Sequence, residues 1–235
     1  EDRQGGGRFH VKNRLQPART ARQVARDGGG PSFSLSKLSE RKSAKQQVAE
    51  AKEGIIKTRE PGGIRIAEKI RQIILDPRNE EMDERTEALL YAAARRQHLV
   101  EVILPALNEG KIIICDRFVD SSLAYQGAGR RIGMTEIAQI NEFATEGTTP
   151  HFTLYLDVDS DTGLRRIQQN RTHQIDRLDS EGLEFHQRVR HAYLKIAEEN
   201  PERITKIDAR MGLQEVVDKS FAAIVERFPN YFKGE

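Results

Sequence analysis

From Ile55 onward, short apolar runs alternate with longer stretches of helical periodicity, and each apolar run stops at a polar cluster. Lys111–Cys115 (KIIIC) and Phe152–Leu156 (FTLYL) are apolar without alternation, as strands buried on both faces should be. Ile55–Thr58 and Ile204–Ile207 read as two more strands. Between them the periodicity predicts several helices. One carries Ile66, Ile70, Ile73 and Ile74 on a face and ends at Asp76-Pro77; a long one is capped by Asp83 and runs to about Asn108, with Gly110 beyond its end. Further helices are expected over Thr135–Glu146, Asp161–Gln169, Glu181–Glu199 and Leu213–Phe228, with a polar loop over Asn170–Ser180. Strands alternating with helices specify an α/β chain, a three-layer doubly wound parallel sheet.

In such sheets ligands bind beyond the carboxyl ends of the strands. Three polar clusters stand at those ends: Thr58-Arg59-Glu60-Pro61-Gly62-Gly63, Asp116-Arg117-Phe118-Val119-Asp120-Ser121-Ser122, and Asp157-Val158-Asp159. An arginine beside a carboxylate suits phosphate and hydrated metal chemistry, although one such pair alone is equally a strand-end ion pair.

The first 54 residues read differently. Residues 1–50 hold eleven Lys/Arg against five Asp/Glu, within a chain whose net charge is only +2. Gly5-Gly6-Gly7 and Gly28-Gly29-Gly30-Pro31 break the segment. It reads as an atypical basic arm, disordered or a frame-shifted translation, rather than as a nucleic-acid or membrane binder. Cys115 is the single cysteine, which excludes an internal disulfide and fits a reducing cytoplasm; its residue type and strand position mark it as a small core residue. No run approaches the ~20 apolar residues of a membrane-spanning helix, and no apolar leader opens the chain.

TREPGG at 58–63, RTEALLYAAARRQH at 85–98 and DRFVDSSLAYQG at 116–127, in that order, resemble the thymidylate kinases of the bacterial type. The resemblance covers about Ile55 to the C-terminus. It implies a P-loop nucleoside-monophosphate kinase fold, transfer of the ATP γ-phosphoryl group to dTMP, Mg2+ as cofactor and a homodimer. It further implies that Tyr91 stacks on thymine, that Arg95, Gln126 and Ser122 contact the acceptor nucleotide, and that Arg71 and Arg117 hold its phosphate. Glu60 and Asp116 match carboxylates near the phosphates and magnesium. The loop at about 170–180 resembles the lid, in which Arg177 and Arg171 would close over ATP, with Arg166 just before. Arg59 conforms to the motif without an assigned role.

One part of the family pattern is missing. No G-x-x-x-x-G-K-[ST] string occurs, and the first strand of the sheet is not recognisable. Gly28–Ser34 is glycine-rich, but Pro31 lacks an N–H that a phosphate cradle uses. Two other functions therefore remain open at this point: a non-catalytic dTMP-binding protein, and another nucleoside or nucleotide kinase.

Overall fold

A computed structural model describes residues 54–170 and 176–231. The basic arm, the glycine-rich Gly28–Ser34 and Arg171 lie outside those residues, as does part of the expected lid.

Strand β1 (Ile55–Arg59) pairs in parallel with β2 (Ile112–Asp116), setting Arg59 opposite Asp116. Strand β3 (Thr153–Asp157) pairs in parallel with β4 (Ile204–Asp208), setting Asp157 opposite Asp208. Each pair thus brings its polar ends together at its carboxyl edge. The expected single sheet is present, among the described residues, as these two parallel pairs. The segment in which a first strand was sought lies outside the described residues. Ile114 and Leu156, mid-strand in β2 and β3, are 42% and 49% exposed. Lys111–Cys115 was expected to be a buried central strand and is part-exposed, with β1 as its paired neighbour among the described residues.

Helix α1 (Arg65–Leu75) stops at Asp76 as expected. Its buried stripe differs from the expected one: Ala67 and Ile74 are fully enclosed, while Ile66 and Ile73 are exposed. Residues seven apart share a helical face. Two candidate stripes exist, Ile66/Ile73 and Ala67/Ile74, and the side packed on the next helix is the one that begins with a small residue.

Helix α2 (Glu84–His98) begins where Asp83 accepts the backbone N–H groups of Arg85 and Thr86, both at 3.0 Å. It continues through a π-helical segment, Leu99–Ile103, into α3 (Leu104–Asn108). Pro105 cannot donate and its ring crowds the preceding turn; the wider π register accommodates it within one continuous rod. After β2 come α4 (Val119–Ser122), a second π-helical segment (Leu123–Gly129) and α5 (Met134–Thr145). Helix α6 (Ser160–Asn170) follows β3, α7 (Leu183–Glu199) precedes β4, and α8 (Leu213–Arg227) packs back on β4.

A buried cluster of Ala124, Phe185, Val189 and Ala192 locks α7 to the second π-helical segment. Gly129 makes that contact possible: a Cβ there would lie 2.7 Å from the Phe185 ring. The packing holds the chain after Asp116 against α2, where the polar residues converge.

Candidate active site

The site is a ladder between two helical segments. Glu87, Tyr91 and Arg95 succeed one another on α2 at spacings of four, so they share a face. Ser122 and Gln126 share a face of the opposing segment in the reverse direction. Arg95 Nη1 donates to Ser122 Oγ at 3.1 Å, and Gln126 Nε2 donates to Glu87 Oε1 at 2.8 Å. Tyr91 stands between these rungs.

The Arg95 end is a buried charge network. Arg95 Nε donates to Glu60 Oε2 at 2.7 Å, Nη2 to the Phe118 carbonyl at 3.3 Å, and Nη1 also to Asn141. Four of these bonds, counting the one to Ser122, engage a guanidinium that offers five N–H donors. Glu60 Oε1 lies 3.0 Å from His98 Nδ1, and His98 Nε2 lies 2.7 Å from Thr58 Oγ1. Gly63 closes over this cluster with φ +85°, where a Cβ would come within 2.9 Å of Thr58 Oγ1. Glu60 was expected near magnesium. Its carboxylate is buried with one oxygen on Arg95 and the other on His98, so it ties α2 to the end of β1.

The phosphate-binding candidates approach from two sides. Arg71, on α1, donates to the Pro61 carbonyl at 3.1 Å. Arg117 adopts φ 68° at the end of β2, and its guanidinium lies 5.1 Å from the Tyr125 ring centre. Burial, reinforced by the Glu87 carboxylate, pushes the Tyr91 phenol above its ordinary range; the charges of Arg117 and Arg71 act against that shift, so both reach the Tyr91 side chain electrostatically. Arg59, without an assigned role in the sequence, pairs with Glu68 at 2.9 Å, and Glu68 also accepts the Gly63 N–H. It thereby fixes the glycine turn.

The Glu87 end departs from expectation. Arg177, read as a mobile lid arginine over ATP, is buried: it donates to Glu87 and, at 3.1 Å, to the Ile74 carbonyl. Arg130 donates to Glu87 Oε2 at 3.1 Å and also to Glu181. A carboxylate with no exposure in the first turn of α2 attracts the nearest guanidiniums, and in this arrangement Arg177 is held at the Glu87 end of the ladder. Arg166 donates to the Ala209 carbonyl at 2.8 Å, beyond the end of β4.

Sequence reasoning missed Glu87, His98, Arg130 and Asn141. The signal for Glu87 was available, since it lies one turn before Tyr91 on the same face; Asn141 and Arg130 come from other elements and carry no local mark. For a divalent cation, Asp116 fits: its exposed carboxylate stands at the end of β2 with its backbone carbonyl bonded to the Glu60 N–H. Glu60, His98 and Cys115 place ligand atoms within 4.8 Å of one another, but the carboxylate and imidazole are committed to the network and the thiol donates to the Arg117 carbonyl at 3.2 Å. Burial pushes that thiol up to about 12.

Comparison with known proteins shows the family. A family model described as Thymidylate kinase matches residues 37–220. A thymidylate kinase of Enterococcus faecalis (strain ATCC 700802 / V583) is 71% identical over 206 residues, covering 88% of this chain and 95% of its own. One from Latilactobacillus sakei subsp. sakei (strain 23K) is 60% identical over 177 residues, covering 75% and 83%. Among solved structures, a thymidylate kinase from Ehrlichia chaffeensis superposes with a TM-score of 0.59 at 30% identity, covering 77% of this chain and 85% of that one. The family match opens at residue 37, earlier than the Ile55 at which the recognisable motifs begin. The described elements, parallel strands with helices between them, are those of a P-loop nucleoside-monophosphate kinase, and the chain belongs to the thymidylate kinase family.

Proposed function

We propose that this chain transfers the γ-phosphoryl group of ATP to dTMP, giving dTDP, and that the ladder on α2 is its acceptor site. The observation that carries this is the placement of Tyr91 between the Arg95–Ser122 and Glu87–Gln126 rungs, with Arg71 and Arg117 acting on the same side chain. A ring flanked by two polar rungs suits a planar base with a hydrogen-bonding edge. Arginines nearby suit the phosphate of the same nucleotide.

The reaction asks little covalent chemistry of the protein: it positions the two phosphates and places positive charge over the oxygens that gain charge. Arg71 and Arg117 fix the acceptor phosphate, and the Arg95–Glu60–His98 network holds the acceptor helix against the strand ends. Mg2+, when bound, neutralises charge on the ATP oxygens, and Asp116 is the carboxylate that would help hold it. The proposal includes a homodimer in a reducing cytoplasm. Apolar surface on packed helices supports it, with Ile73 of α1, Leu89 of α2 and Phe143 of α5 exposed; Phe143 is 89% so. Among the described residues no helix is long and apolar enough to cross a membrane.

A coupled assay for ADP release from ATP on addition of dTMP tests the activity. Turnover within the ~1–10² per second of phosphoryl-transfer enzymes is expected with dTMP, and slower turnover with dCMP and AMP. Absence of turnover with dTMP overturns the proposal.

A further inference from the structure

Gln126 carries an amide whose two ends have opposite hydrogen-bonding character. Its Nε2 is 2.8 Å from Glu87 Oε1, and both side chains are almost wholly enclosed. A carboxylate accepts and cannot donate. Turning the amide over would set two oxygens against each other in a buried site, so the Glu87 charge dictates which end of Gln126 faces it. That charge is itself met by two guanidiniums, Arg130 with Nη2 at 3.1 Å and Arg177.

The consequence is chemical. One Nε2 proton goes to Glu87, and the other, together with Oε1, remains as an ordered donor–acceptor pair. The edge of thymine or uracil offers N3–H as donor and O4 as acceptor. Cytosine offers N3 as acceptor and its exocyclic amine as donor, the same pair in reverse order. A freely turning amide would satisfy either edge; an amide held by Glu87 satisfies only one.

We propose that Glu87 is a positioning residue for base selection: it locks the Gln126 amide, through which the acceptor site prefers pyrimidines with an N3–H over cytosine. This inference rests on the reading of the ladder as the acceptor site. The same carboxylate holds Arg177, so the segment following residue 175 is tied to the rung that faces the base.

The test is calorimetric binding of dTMP, dUMP and dCMP to the wild-type chain and to Glu87→Gln, which keeps the shape and offers a donor as well as an acceptor. The wild type is expected to bind dTMP and dUMP at least tenfold more tightly than dCMP. In Glu87→Gln that ratio is expected to fall by tenfold or more for both. A change that only loosens packing weakens all three nucleotides together, and an unchanged ratio in a folded variant overturns the inference while leaving the acceptor site standing. A wild-type chain that binds none of the three overturns both. Should Glu87→Gln fail to fold, the wild type still decides. Nuclear magnetic resonance before nucleotide is added is expected to show one Gln126 amide proton protected from solvent exchange. Two protons exchanging at solvent rates contradict the lock.

Discussion

Arg117 occupies a left-handed backbone conformation that few side chains adopt without an energetic cost, and it does so at the end of the strand that delivers Asp116. The guanidinium lies over the Tyr125 ring, 5.1 Å from its centre. If this arginine holds the acceptor phosphate, Arg117→Ala is expected to lower kcat/KM for dTMP about a hundredfold, roughly 3 kcal/mol of transition-state stabilisation. A loss under twofold in steady-state kinetics would place the arginine elsewhere. Tyr91 has a different task. Tyr91→Ala is expected to weaken dTMP binding by about 1–3 kcal/mol through lost stacking, measured by calorimetry, with less effect on turnover at saturation. An effect confined to turnover would contradict a stacking role.

At the scale of elements, a few polar contacts fix how helices meet strands. Arg190 of α7 grips Asp157 at the end of β3 with Nε at 2.8 Å and Nη2 at 3.0 Å, and Tyr155 donates to the same carboxylate at 3.1 Å. The Arg190 hydrogen bonds hold the Asp157 carboxyl below its ordinary range. A carboxylate depressed in the folded state binds its proton more readily when unfolded. Its contribution is therefore fully present above the ordinary value of about 4 and is lost as pH falls through the lower folded value. The melting temperature of Asp157→Asn is expected to lie below wild type at about pH 7 and to approach it near pH 3. A gap that stays constant across that range would contradict the account.

Element boundaries were largely legible because the sequence marks them locally. Asp83 is an N-cap, Gly110 and Gly147 have positive φ just past their helices, and the apolar runs stop at charged residues. The orientation of α1 was not legible, because two stripes offset by one residue were both apolar and only one of them is buried. In the site, Arg95, Ser122, Gln126 and Tyr91 were legible as motif residues, and the structure brings them to one ladder. The engagement of Glu60 and the burial of Arg177 were not, since each depends on a partner 35 or 90 residues away.

For the molecule as a whole, the two strand pairs share one logic: parallel register brings the polar ends of β1 and β2 together, and those of β3 and β4, while α2 and α7 hold the segment after β2 between them. The proposed acceptor site draws on residues 58–130, with Asn141 and Arg177 bonded into it. No P-loop string is present in the chain, so the acceptor site is the part of the activity that the described residues must sustain by themselves. The direct test is therefore a calorimetric titration of dTMP into the purified chain without ATP. Saturable binding with one nucleotide per chain is expected, weakened in both Tyr91→Ala and Arg117→Ala. A chain that is folded by its melting profile and takes up no dTMP would contradict it.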